Sequence, residues 1–161
     1  MLHGSGGPRR RSGSTALFTI GYQGRSVEDY LGMLSRVQVT LLCDVRRNAI
    51  SRKRGFSGTA LAEACECVGI RYEHLPELGI SSERRRQIRT GRDRQRLLAE
   101  YRGRDLADRS ASVQKILRWA TSGERVAVTC FERDPGSCHR SLVAAEIERL
   151  VGPHITTEHL E

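Results

Sequence analysis

The sequence predicts an α/β domain: a Rossmann-like three-layer unit with a mostly parallel sheet of about five strands and an α-helical, Arg-rich insert before strand four. Three observations predict it. Short apolar runs of strand length alternate with stretches whose apolar residues recur every three to four positions. The length of 161 residues suits a single domain, and a chain of this size buries roughly 70% of the surface its unfolded form exposes, so no disulfide staple is required. The stretch from 83 to 118 departs from the alternation through its charge.

In chain order, residues 1–15, with Gly4, Ser5, Gly6, Gly7, Pro8 and Arg9 to Arg11, show no hydrophobic periodicity and are expected to form a disordered basic tail. The domain then runs from 16 to 161. Leu17 to Ile20, closing on Gly21, reads as a buried first strand. Ser26 with Asp29 three residues on caps a helix carrying Val27, Tyr30, Leu31, Leu34 and Val37 at helical spacing. Val39 to Val45 is a second strand. Leu61, Ala64, Cys65 and Val68 mark a second helix that Gly69 ends in a left-handed cap. Ile70 to Leu75 is the third strand, Arg125 to Phe131 the fourth, Leu142 to Val151 a helix, and His154 to Thr157 the last strand. This succession implies right-handed crossovers and a sheet covered on both faces. Ligands of such sheets sit at the carboxyl ends of the strands.

Charge is distributed unevenly. There are 27 Lys and Arg against 19 Asp and Glu, a net of +8, and only Lys53 and Lys115 are Lys. Arg presents a planar fork suited to phosphate and carboxylate. Residues 83–118 hold 11 Arg and Lys115 against five acids, nearly the whole net charge. The insert's apolar residues, among them Ile88, Leu97, Tyr101, Leu106, Val113, Ile116 and Trp119, predict two docked helices interrupted at Gly91 and Gly103. No apolar run approaches the roughly 18 residues that span a bilayer, and Met1 to Thr15 has three Arg without a following hydrophobic region. Five Cys is an odd count that suits a reducing compartment. The expectation is a cytoplasmic protein without a membrane partner.

Each strand end carries a polar cluster. Gly21-Tyr22-Gln23-Gly24-Arg25-Ser26 is a turn into a helix N-terminus, which suits an anion, or is simply a tight turn capped by Ser26. Asp44-Val45-Arg46-Arg47 opens a loop holding Arg52, Lys53, Arg54 and Phe56; strand alternation places Asp44 and Arg46 on one face, where they can pair. His74-Leu75-Pro76-Glu77-Leu78-Gly79 leaves the Glu77 carboxylate as a candidate general base, with His74 read as a hydrogen-bonded packing residue. The richest segment runs from Cys130 through Glu132, Asp134, Pro135, Ser137, Cys138, His139 and Arg140 to Ser141. Its helix starts with Asp134 as cap and Pro135 first, or with Ser137 as a later cap.

A phosphatase-type C-x5-R loop needs Cys where this chain has Asp134. Cys138 near a helix N-terminus and Arg140 is a candidate for a lowered thiol pKa, whereas adjacent His139 is expected to point elsewhere on the helix. Zinc through Cys130, Cys138 and His139 runs against the paired C-x2-4-C spacing of structural sites, so no metal is expected. Nothing in the sequence calls for a cofactor.

Taken together, Thr19-Ile20-Gly21-Tyr22, Asp44-Val45-Arg46 with Ser51-Arg52 and Gly55-Phe56-Ser57, His74 to Gly79, Cys130-Phe131-Glu132 and Cys138-His139-Arg140 resemble the family known as domain of unknown function 488, over about Leu17 to Thr157. The resemblance implies a small α/β domain whose polar motifs gather on one sheet edge, and it supplies no reaction. Ala49 stands where members often have Pro, and the insert is unusually positive.

These readings lead to the expectation of a domain that binds a phosphate-bearing ligand, nucleic acid or a nucleotide or other phosphorylated small molecule, with acid-base chemistry at the same edge. Gly21, Tyr22, Arg25, Arg46, Arg52, Phe56, Arg140 and Ser141 are the candidate ligand-binding residues. Asp44, Glu77, Glu132, Cys138 and His139 are the candidate catalytic ones. The alternatives are a non-catalytic sensing or adaptor module, and a rhodanese- or phosphatase-like enzyme using Cys138 or Cys130.

Overall fold

The computed structural model describes residues 15–161. The expected basic tail lies outside the described residues except for Thr15, which opens the first strand. The strands are β1 (Thr15–Gly21), β2 (Leu41–Asp44), β3 (Arg71–His74), β4 (Val126–Cys130) and β5 (Ile155–Leu160). All pair in parallel in the order β3-β2-β4-β1-β5, with Leu17 opposite Val126, Leu41 opposite both Val126 and Arg71, and Thr15 opposite Ile155.

Helices α1 (Val27–Arg36) and α2 (Gly58–Cys67) cover one face, where Phe18, Ile20, Leu42 and Ala127 pack against Tyr30, Leu34, Leu61 and Cys65. The other face buries Leu17, Leu41, Cys43, Val126 and Val128 under α6 (Ser110–Thr121) and α7 (His139–Val151), through Val113, Ile116, Val143, Ala144 and Ile147. This is the three-layer arrangement expected when parallel strands are buried on both faces. Ser26 accepts from the Asp29 N–H at the start of α1, and Gly69 ends α2 with φ +76°.

Between β3 and α6 the chain forms α3 (Ser82–Arg86), α4 (Gly91–Glu100), a π-helical turn (Tyr101–Asp105) and the short α5 (Leu106–Asp108). Neither glycine breaks this path as the sequence led us to expect. Thr90 and Asp93 form a reciprocal capping box, so Gly91 is the first residue of α4, and Gly103 sits inside the π turn. Strand β5 continues to Leu160, past the expected end at Thr157, because an edge strand pairs on one side only and tolerates exposed Glu158 and His159. Helix α7 starts at His139, three residues before its first expected apolar position. Among the described residues no helix is long and apolar enough to cross a membrane.

Candidate functional site

Strands β1 and β4 are neighbours, yet β1 leads into a helix on one face and β4 into a helix on the other. Loops that part in this way open a crevice at the carboxyl edge. Here the chain itself fills the crevice. A Cβ on Gly21 would lie 1.8 Å from the Glu132 carbonyl oxygen, and the Tyr22 and Gln23 N–H groups donate to the Cys130 and Phe131 carbonyls at 3.3 and 2.9 Å. Gly21 therefore serves a close backbone approach, which accounts for its place in the motif.

Next to this seam, Asp44 and Arg46 form the pair that strand alternation predicts, and both are buried, at 0% and 3% exposure. Arg46 Nε donates to Asp44 Oδ1 at 2.9 Å, and its Nη1 donates to the Phe56 carbonyl at 2.7 Å and the Tyr22 hydroxyl at 3.1 Å. Tyr72 donates its hydroxyl to Asp44 at 2.6 Å, and Tyr22 stacks on Phe56 with ring centroids 4.5 Å apart. Burial by itself would lower the Arg46 guanidinium; the Asp44 hydrogen bonds outweigh it and hold the group above its ordinary range.

Two further guanidiniums are built into the scaffold. Arg25 donates to the Gly21 and Leu160 carbonyls. Arg140, with 0% exposure, donates to the Glu132 and Arg133 carbonyls, and its Nε has no partner among the described residues. Arg25, Arg46 and Arg140, expected as ligand-binding residues, thus direct these donors at the chain rather than at solvent. The donors after Pro135 are also engaged. Asp134 accepts from Gly136 N–H and the Ser137 hydroxyl in a short 3-10 turn, and Ser141 donates to the Pro135 carbonyl at 2.7 Å. Those same bonds hold the exposed Asp134 carboxyl below its ordinary range.

The chemically dense point of this edge lies between the end of β4 and the start of α7. Cys130 Sγ, Cys138 Sγ and a ring nitrogen of His139 all lie within 4.8 Å of one another, and all three residues are buried. Cys130 Sγ is 3.9 Å from His139 Nδ1 and 3.5 Å from Glu132 Oε2. His139 was expected to point away from Cys138, and the structure corrects this. Cys138 is not in the helix; it precedes it in extended conformation, φ −131° and ψ 140°, so the two neighbours can face the same sulfur. His139 Nε2 is 3.0 Å from the Val45 carbonyl, which can only accept, so Nε2 carries a proton whether or not Nδ1, which faces the thiols, is protonated as well. The spacing argument against a shared donor set fails for a related reason. The residues from Glu132 to Ser137 fold back through the 3-10 turn and return the chain to Cys130.

Electrostatically, burial opposes a Cys138 thiolate, but hydrogen bonds from Cys130 and His139 and the nearby Arg140 charge pull the thiol well below its usual value. Cys130 is pushed up by donating to Cys138 and by burial. Burial also raises Glu132, aided by Cys138. A cavity of about 20 Å³ reaches this cluster, lined by Arg85, Arg94, Cys130, Glu132, Ser137 and His139 among others. That volume is on the order of a single water. Arg94 Nη1 lies 3.7 Å from Glu132. Sequence reasoning passed over Arg94, although it lies three and four residues before Leu97 and Leu98, on the buried side of α4.

Glu77 and Arg52 are exposed, and Glu77 does not line this cavity. His74 hydrogen-bonds the Arg46 carbonyl at 2.8 Å from a strand edge rather than from the core. The insert begins beside the β2 loop, with Asn48 donating to Ser82 and Arg47 to the Pro76 carbonyl, and it returns to the edge where Arg94 reaches the Ser137 carbonyl. Arg52, Arg54, Arg86, Arg89 and Arg92, on the β2 loop and between these anchors, are exposed and make no ion pair among the described residues, unlike Arg84, Arg94 and Arg96.

No curated protein and no solved structure matches the chain. Residues 26–147 match the model of the family described as Domain of unknown function DUF488, and the chain, whose buried Asp44–Arg46 pair and Cys130–Cys138–His139 cluster fall within that span, belongs to this family.

Proposed function

We propose that the domain binds an extended phosphate chain, nucleic acid, across the carboxyl edge of its sheet. One observation carries the reading: Arg52, Arg54, Arg86, Arg89 and Arg92 are exposed and make no ion pair among the described residues, on segments anchored at that edge. Surface guanidiniums without a carboxylate partner can displace the counterions condensed on a nucleic acid's phosphates without first breaking an ion pair. The cavity at the cysteine cluster, about 20 Å³, is too small for a nucleotide.

The test is a fluorescence-anisotropy titration against labelled single-stranded and duplex DNA and RNA at several salt concentrations. Five phosphate contacts give a log-log salt slope of about −4. Replacing Arg52, Arg86 and Arg89 together by Ala is expected to make the slope shallower by about 2 to 3 with an unchanged melting temperature. Absence of binding at low salt overturns the proposal.

A further inference from the structure

The same edge carries a donor set that phosphate binding does not use. We infer that Cys130, Cys138, His139 and Glu132 form a binding site for one divalent, thiolate-seeking cation, Zn²⁺. Three independent features of the geometry support it.

The first is spacing. A tetrahedral ion with Zn–S bonds of about 2.3 Å and Zn–N or Zn–O bonds of about 2.1 Å has donor-donor edges of about 3.6 Å. The Cys130–His139 edge is 3.9 Å and the Cys130–Glu132 edge 3.5 Å, and the Cys138 sulfur lies within 4.8 Å of both Cys130 Sγ and the His139 ring nitrogen. The first two edges already lie within a few tenths of an ångström of that value, and the tetrahedron closes when Cys138 and the Glu132 carboxylate, which stands outside the 4.8 Å group, turn inward on the ion. The second is orientation. His139 donates its Nε2–H to the Val45 carbonyl at 3.0 Å, the arrangement by which metal-binding imidazoles fix their tautomer and aim the bare nitrogen at the ion. The third is the surroundings. Two thiols and an imidazole, each at most 5% exposed, converge from β4 and α7, while Arg140 clamps the carbonyls of Glu132 and Arg133 and Arg94 lies beside the Glu132 carboxylate. Two thiolates and a carboxylate around a dication leave one negative charge, which these guanidiniums face.

Ligand chemistry selects the metal. Sulfur donors with imidazole favour zinc over the hard oxygen-seeking cations. Binding releases the two thiol protons to solvent and crosslinks the end of β4 to the start of α7. The site is independent of which polyanion the arginine surface takes.

The experiment uses the full chain. Metal content of the purified protein is measured by mass spectrometry, and chelator-treated protein is then titrated with Co²⁺ by absorbance. The expected result is about one zinc per chain, a thiolate-to-cobalt charge-transfer band with the intense d–d bands of tetrahedral cobalt, and a melting temperature that falls on chelation. Cys138→Ser is expected to lose the charge-transfer intensity and the chelator response, whereas Cys65→Ser, buried in α2 away from the cluster, keeps both. Should Cys138→Ser not fold, Glu132→Gln answers in its place, with cobalt affinity at least tenfold weaker and a shifted spectrum. A folded protein that carries no metal above trace and gives no thiolate-cobalt band overturns the inference. So does a Cys130–Cys138 disulfide, or a rapidly alkylated Cys138, that persists in the presence of excess zinc.

Discussion

Arg46→Met separates a scaffold role from a ligand role at the most conspicuous basic motif of the chain. The substitution keeps much of the side-chain volume and removes every guanidinium donor. Asp44, fully buried, would retain the Tyr72 hydroxyl and the residue 46 N–H but lose the Nε and Nη2 donors of Arg46. Breaking one side of a buried ion pair costs about 3–5 kcal/mol. The Phe56 carbonyl and Tyr22 hydroxyl lose a donor as well, adding about 1 kcal/mol. At about 2–4 °C per kcal/mol for a domain of this size, the melting temperature falls by about 10–20 °C, out of a total stability of about 5–15 kcal/mol. Adding Asp44→Asn removes the stranded charge and is expected to restore part of the loss. The assay is thermal and urea unfolding followed by circular dichroism on both variants. An Arg46→Met protein that melts within about 3 °C of the parent but binds nucleic acid weakly would refute the reasoning and return Arg46 to the ligand.

Gly21→Ala forces a methyl against the Glu132 carbonyl, which Arg140 holds in place; a loss of about 3 kcal/mol or more is expected in urea unfolding, and a near-neutral result would show that the seam is loose. Tyr101→Phe removes the buried hydroxyl that donates to the Leu78 carbonyl at 2.6 Å, and a loss of about 1–2 kcal/mol is expected by the same measurement. Burial raises the ionisation of Tyr30, Tyr101 and Cys43, and it pushes the Cys65 thiol up to about 12. The folded chain holds these protons more tightly than the unfolded chain, so their contribution is complete below the ordinary values and is lost as pH rises through the raised ones. The urea midpoint is therefore expected to decline above about pH 9, and Tyr30→Phe should flatten that decline; a midpoint that rises with pH contradicts the assignment.

The fold was legible because its elements announce themselves through local periods. Leu17 to Ile20 is a buried run, Tyr30 and Leu34 share a helix face, and Gly69 stops α2, all readable within a few residues. The Asp44–Arg46 pair was legible for the same reason, since strand alternation puts residues two apart on one side. The misreadings arose where geometry departs from a regular period. Treating His139 as one helical step from Cys138 separated them, but Cys138 is still extended when the helix begins. Gly103 looked like a break, and the π turn absorbs it. The roles of Gly21 and Arg140 depend on the Glu132 carbonyl, which no local pattern connects to Gly21.

By itself the sequence determined the alternation of strands and helices, the polar motifs at the strand ends and the concentration of charge between 83 and 118. These follow from side-chain spacing along a short length of chain. Only the tertiary structure decided which arginines are committed to carbonyls and carboxylates and which make no ion pair among the described residues, and that two cysteines and a histidine meet at one point with Glu132 beside Cys130. The physical reason is that a donor's fate is set by the acceptors folding brings to it. The Val45 carbonyl that orients His139 lies 94 residues away in sequence, a separation that no helical or strand period encodes.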